Sequence, residues 1–366
     1  MAELQINPTT QLQKTETNML DDRFAAGAGE WLAPGGPDND VVISTRIRLA
    51  RNIRGHKMPW RSNDSERRAV EAAIKSGIVE SEVIPDGAYW SIDDLSETER
   101  RLLVERHLIS PELANGRGSR GVIFAKTEDI SIMTNEEDHL RIQGIQCGLQ
   151  LDETWRATNQ VDSILERRLP FAVSSRWGYL TACPTNVGTG LRVSVMVHLP
   201  VLVQTEQIKK VHTAASRVGL VVRGLYGEGT KASGDFYQIS NQVTLGRDET
   251  QILRDVRTMV LKIIEWERGL RKLVMQQDRV SIEDRAWRAL GILRFARKIS
   301  SEETMRHLSS VRLGLNLEIL RDIGQGRIND LFLYTQPAHL QVLRGAPAKP
   351  EERDASRARF IREWLA

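Results

Sequence analysis

From Glu249 onward the apolar residues recur every three or four positions, and strand-like alternation never returns. Ile252, Val256, Met259, Ile263, Leu270 and Leu273 mark one long amphipathic helix. Ser300-x-x-Glu303 caps another, with Met305, Leu308, Val311 and Leu315 on its inner side, and residues 351–366 form a charged helix carrying Phe360, Ile361, Trp364 and Leu365. Upstream the texture differs. Residues 41–51, 193–199, 220–223 and 236–241 are short apolar runs of strand type. A chain of 366 residues exceeds one ordinary core. The pattern therefore predicts an α+β catalytic domain over residues 19–275 and an all-α domain over 276–366. Residues 1–18, polar and aperiodic, read as a disordered extension.

Composition removes several function classes. The 51 Lys and Arg against 48 Asp and Glu leave a net charge of only +3, too little for general nucleic-acid binding, so the arginines count as individual anion ligands. The two cysteines, Cys147 and Cys183, make neither a disulfide framework nor a CxxC metal pair, which suits a reducing cytoplasm. No apolar run approaches a membrane span, and the start lacks a signal-peptide pattern.

Within the first domain, a short helix is expected over 19–32, ended by Pro34-Gly35-Gly36-Pro37. Along the strand at 41–51, alternation puts Ile43, Thr45, Ile47 and Leu49 on one side and Arg46 and Arg48 together on the other. Helices follow at 65–79 and at 96–108, the latter opened by the capping box Ser96-x-x-Glu99 and delivering His107. Residues 116–121 match G-x-G-x-x-G but precede a strand and open no helix, so they are a loop and not a dinucleotide fingerprint. The strand at 122–125 pairs with 130–134, and amphipathic helices are expected at 152–169 and 201–218. A glycine-rich loop over 224–234 carries Glu228.

Two stretches concentrate chemistry. Asn135-Glu136-Glu137-Asp138-His139-Leu140-Arg141 puts four ionisable groups in a row at a strand end; a solvated turn and a functional cluster both explain them. Cys183-Pro184-Thr185-Asn186-Val187-Gly188-Thr189-Gly190-Leu191-Arg192 places a thiol, a glycine-rich turn and a fixed cation ahead of an alternating strand, although a buried packing cysteine fits the same residues. No G-x-x-x-x-G-K-[ST] and no H-R-D with D-F-G occurs. Arg46, Arg48, Arg141, Arg192 and Arg223 nevertheless all sit on or beside strands of one expected sheet. Such a set could grip a polyphosphate, since guanidinium stays charged and forks onto phosphate oxygens.

These motifs, with Ser44-Thr45-Arg46-Ile47-Arg48, Arg223-Gly224 and Ile239-Ser240-Asn241, resemble those of the phosphagen (guanidino) kinases over about residues 41–245. The resemblance implies an antiparallel β-sheet flanked by helices, related to the glutamine synthetase catalytic fold, and transfer of the γ-phosphoryl of MgATP to a guanidinium. Carried over by position, Ser44, Arg46, Arg48, Arg141, Arg192 and Arg223 hold the nucleotide phosphates, and His107 lies on the adenine side. Glu137 orients the guanidinium, with Cys183 beside it.

Departures from the small-guanidine members narrow the expectation. Those members carry a helical domain ahead of the sheet as a lid over free substrate, whereas this chain has little before residue 41 and a helical domain behind. Glu228 stands where they have a small or apolar residue, and could form a second carboxylate clamp opposite Glu137. An open site with two clamps resembles that of the protein-arginine kinase branch, whose R-D-x-x-R-A motif, an allosteric phosphoarginine pocket, is matched by Arg353-Asp354-Ala355-Ser356-Arg357-Ala358. The branch implies ATP and Mg²⁺, a McsA-like activator, a stress-gene repressor as substrate, a Clp unfoldase that reads phosphoarginine as a degradation mark, and a homodimer or higher oligomer. Against the family, Thr244 replaces an arginine after Ser240-Asn241. A kinase for free arginine and a non-catalytic phosphoarginine-binding adaptor are the competing expectations.

Overall fold

The computed structural model describes residues 27–224, 232–344 and 350–366. Among the described residues there are ten strands: β1 (Val42–Arg51), β2 (Ala88–Ser91), β3 (Gly121–Phe124), β4 (Ile130–Thr134), β5 (Leu140–Cys147), β6 (Val173–Ser174), β7 (Gly178–Tyr179), β8 (Leu191–His198), β9 (Leu220–Gly224) and β10 (Phe236–Asn241). Eight form one antiparallel sheet in the order β2-β3-β4-β5-β1-β8-β10-β9, and β6 and β7 make a separate hairpin. This is the predicted sheet.

One face of the sheet is largely apolar, with Arg51 paired there to Asp162 of a covering helix at 2.8 Å. Ile47, Leu49, Ile142, Val193, Val195, Val222 and Ile239 pack there under the helices Asp64–Ser81, Leu151–Glu166, Ile208–Arg217 and Glu249–Gln277. The other face is covered at its two ends. Val122, Phe124 and Met133 lie under the Glu97–Glu105 segment, while Ile43, Ile145 and Phe236 lie under helices drawn from residues 279–365. Its centre carries the arginines.

Ile43 departs from the expected parity. A register shift between Val42 and Ser44 puts a bulge at this point, so Ile43 turns away from Ile47 and Leu49 and joins the second core. β5, the central partner of β1, was not apparent in the sequence. Gly144 breaks its alternation, because a Cβ there would stand 2.1 Å from Thr158 Oγ1 on the covering helix.

The helix expected over 201–218 is two, Pro200–Gln204 and Ile208–Arg217, separated where Glu206 takes φ +56. The first is anchored by Glu267, whose carboxylate accepts from Val201 N at 3.2 Å and Leu202 N at 2.9 Å. Of the helix expected over 19–32, the described part contains only the 3-10 turn Glu30–Leu32, and the proposed N-terminal extension lies outside the described residues. Leu273 is 44% exposed and not on the buried stripe of its helix.

Helices Glu249–Gln277 and Arg279–Phe295 abut at Asp278, and the chain ends in Ser301–Asn316, Gln325–Tyr334, Pro337–Arg344 and Pro350–Trp364. Buried Arg312 joins this helical region to the sheet's leading turn: it donates to Asp40 O at 3.1 Å, Asn39 O and His198 Nδ1 at 2.9 Å. No helix among the described residues is long and apolar enough to cross a membrane.

Candidate active site

Antiparallel register turns the arginine spacing into a constellation. Arg48 lies directly opposite Arg192 on β8 and Gln143 on β5, Arg141 opposite Ala50, and Arg223 opposite Gln238. Opposed residues share a face, so all five arginines converge on a cavity of about 960 Å³ in the sheet's centre. His107, Glu136, Glu137, Cys183, Gln238 and, from the helical region, Gln336 also line it. Ser44 is buried at 2% exposure and is not among the lining residues.

The cations are only partly compensated by the chain. Arg46 donates to Gln238 Oε1 at 2.7 Å, Arg192 to Ser240 Oγ at 3.2 Å, and Arg141 pairs with Glu136. The Nε atoms of Arg48 and Arg192 are buried with no hydrogen-bond partner in the described structure. Burial, reinforced by Arg46, Arg141 and Arg192, pushes the Arg48 guanidinium well below the usual arginine range. Arg192 is pushed down too, chiefly by burial and then by Arg223 and Arg141. Clustered cations with buried, unmatched N–H donors form a site complementary to an anion with many oxygens.

His107 falls just past the helix Glu97–Glu105, in a left-handed turn with φ +60. Gln143 Nε2 donates to its carbonyl at 2.7 Å, and its ring meets Trp31 edge-on at 5.0 Å. Burial, with Arg46 and Arg48 adding, brings the imidazole pKa down to about 3, so the ring is neutral at physiological pH. An uncharged ring at this point offers the cavity a flat face with no fixed positive charge.

The acidic run resolves into distinct roles. Glu136 is buried at 2% side-chain exposure and accepts from Ser110 Oγ and Arg141; Glu137, 43% exposed and 3.7 Å from Arg141 Nη2, stands at the opening. Asp138 turns inward, and its Oδ1 accepts from Asn52 Nδ2 and Ala182 N, each at 2.6 Å, which ties this turn to the residue before Cys183. Burial raises the Asp138 carboxyl to about 6. Cys183 Sγ lies 3.0 Å from Thr185 Oγ1. Thr244, out of place for a nucleotide arginine, donates its hydroxyl to Thr185 O and Val187 O at 3.0 and 2.7 Å and so braces the cysteine turn. Glu228 lies outside the described residues.

The Arg353-Asp354-Arg357 motif sits far along the chain, on Pro350–Trp364. Arg357 is 2% exposed and donates to Thr335 O at 2.9 Å, Ile299 O at 3.0 Å and Asp354 Oδ1 at 2.6 Å. It thereby holds the turn that presents Gln336 to the cavity. A second tie runs to the segment just before His107: Glu105 accepts from Ala338 N at 2.8 Å and His339 Nδ1 at 2.7 Å, and Arg106 pairs with Glu128. Sequence reasoning missed Gln143, Gln238, Glu136 and Gln336 as lining residues. Parity with Arg141 would have found Gln143 had β5 been recognised, whereas Gln238 needed the pairing of β10 with β9.

Residues 69–270 match the model of the ATP:guanido phosphotransferase C-terminal catalytic domain, and 279–366 that of the protein-arginine kinase McsB C-terminal domain. The molecule is thus a phosphotransferase of the guanidino class. Among solved structures, lombricine kinase aligns with TM-score 0.57 and 29% identity, covering 65% of this chain and 69% of that one. The duplicated taurocyamine kinase of Schistosoma mansoni aligns with TM-score 0.58 and 26% identity, covering 68% of this chain and 36% of that one. The protein-arginine kinase of Halothermothrix orenii is 46% identical over 94% of this chain and 99% of its own length. That of Bacillus subtilis is 44% identical over 92% and 93%. The chain belongs to the protein-arginine kinase family.

Proposed function

We propose that the protein transfers the γ-phosphoryl of MgATP to arginine side chains presented by other proteins, using the residues that line the central cavity. The observation that carries this reading is the convergence of Arg46, Arg48, Arg141, Arg192 and Arg223 on one cavity with a half-exposed carboxylate, Glu137, at its opening. The arginines hold the triphosphate, and neutral His107 faces the adenine. A Mg²⁺ arriving with the nucleotide would be held largely by phosphate oxygens. Such an ion neutralises charge on the transferring group.

The acceptor is the harder half. An arginine guanidinium has a pKa above about 12 and no free lone pair, so the site must select one nitrogen and remove its proton. Glu137 accepts guanidinium N–H groups, aligns one nitrogen with the phosphorus and takes the proton as the N–P bond forms and the P–O bond to ADP breaks. Cys183 adds negative character beside the same group, and Glu228 is the second clamp. Arg48 and Arg192, whose buried Nε atoms have no partner in the described structure, compensate the charge of the phosphoryl in flight.

Beyond the site, the reading places the protein in the cytoplasm as a homo-oligomer, working with a McsA-like activator, phosphorylating a stress-gene repressor and marking proteins for a Clp unfoldase. Arg353, Asp354 and Arg357 form a regulatory phosphoarginine pocket. Mass spectrometry of a generic protein substrate after incubation with enzyme and MgATP, handled at neutral or alkaline pH, tests the core of this. Phosphate on arginine side chains is expected; transfer to free arginine alone would replace the reading with a small-guanidine kinase.

A further inference from the structure

An arginine side chain is only three methylenes and a guanidinium long, so a polypeptide whose arginine reaches Glu137 must run across the mouth of the cavity. What borders that mouth is fixed to the acceptor turn by hydrogen bonds. Asn135, two residues before Glu137, donates through Nδ2 to Arg67 O and Ser119 O, each at 2.9 Å. Arg67, which lines the cavity, spends its guanidinium on two carbonyls: Nη1 on Arg117 O at 2.7 Å and Nη2 on Pro59 O at 2.6 Å. Arg67 is therefore a buckle. It clasps the cavity-lining segment around Arg117 and, just outside the lining, the turn Pro59–Arg61 to the turn that carries Glu137.

These two segments present groups that the fold does not use. Trp60 is 69% exposed, and Arg61 lies over its ring at 5.5 Å. Arg117 is exposed, lines the cavity and has no carboxylate partner among the described residues, and Arg61 has none either. Neighbouring Lys57 is neutralised by Glu66 at 2.7 Å, and Glu112 is the acidic member of this rim. A large rigid aromatic flanked by arginines, held in register with a catalytic carboxylate, has the makeup of a binding hot spot.

Resting on the protein-substrate reading above, we propose that Trp60, Arg61 and Arg117 form a docking strip for the polypeptide flanking the target arginine, and that it selects acidic over basic flanks. Trp60 supplies contact area to any main chain. Arg117 and Arg61 supply the charge preference, and Arg67 positions both without touching the substrate.

The test uses full-length enzyme, N-acetylarginine amide, and two peptides with one arginine each, flanked by Asp and Glu in one and by Lys in the other. Wild type is expected to favour the acidic peptide in kcat/KM. Arg117→Glu should lower the acidic-to-basic ratio about fivefold or more, as reversing an exposed charge pair permits, with Arg117→Lys restoring most of it. Trp60→Ala should raise KM for both peptides about tenfold relative to the amide while kcat is retained. Unchanged ratios in Arg117→Glu together with an unchanged peptide KM in Trp60→Ala would overturn the strip and leave the proposed function standing. A wild type that phosphorylates only the amide, and no peptide or protein, would overturn that function and the strip with it.

Discussion

Arg312 is fully buried and Arg48 half-buried with its Nε atom closed off from solvent, yet the chain treats these two interior arginines in opposite ways. Arg312 is met by Asp40 O, Asn39 O, His198 Nδ1 and Asn329 Oδ1 at 3.4 Å, and burial with Arg271 nearby brings it down only to about 9. Arg48 stands among Arg46, Arg141 and Arg192 with its Nε unmatched. An interior cation that the backbone satisfies is mortar between elements. One that the chain leaves in the company of its own kind is reserved for something that is not part of the chain.

The widest gap between the two regions should open at the acceptor carboxylate. Glu137→Ala is expected to cost at least about a thousandfold in phosphoryl transfer, the scale of a removed base and orienting group, while the melting temperature barely moves. Single-turnover assays beside thermal unfolding check this, and retained turnover would end the role given to Glu137. Next come the two arginines themselves. Arg312→Met should destabilise the fold by about 3 kcal/mol, because it strands several buried acceptors. Arg48→Met should leave the nucleotide-free protein as stable or more so while weakening ATP binding tenfold or more, which calorimetry and denaturant unfolding would separate. If both variants lost stability equally, the contrast would be false.

Much of this was legible in the chain. Alternation along residues 41–51 placed Arg46 and Arg48 on one side, and the change of period at Glu249 marked where strands stop. What was hidden depends on partners distant in sequence. β5 was masked by Gly144, whose meaning is a covering helix pressed close. The difference between Glu136 and Glu137 is invisible without Ser110 and Arg141 to bury the first. Ile43 was misassigned because a bulge changes parity and leaves no mark on composition.

Smaller effects sharpen the picture within the site. Asp138, raised to about 6 by burial, carries more proton in the folded than in the unfolded state between about pH 4 and 6. Its ionisation therefore weakens the fold as pH rises through that window, and the penalty is fully present above pH 6. Protonation in turn weakens its grip on Ala182 N, so activity should fall as pH drops through about 6. Asp138→Asn should flatten that acid limb in a pH–rate profile, whereas nucleotide binding, facing a His107 neutral above about 3, should show no histidine titration between pH 5 and 8. Smallest of all, Thr244→Val should cost about 1 kcal/mol of stability by removing the brace on the cysteine turn, with a modest loss in rate.

The two family models divide the chain between residues 270 and 279, but the hydrogen bonds do not respect that seam. Glu105 caps the start of Pro337–Arg344, Arg357 fixes the turn at Thr335, and Gln336 stands in the cavity wall. For anyone who cuts or recombines such chains, the consequence is practical. A catalytic half expressed alone would lose the outer support of the segment that carries His107, and a chimera that keeps both halves but not the Glu105–His339 match would inherit two sound parts and a faulty joint.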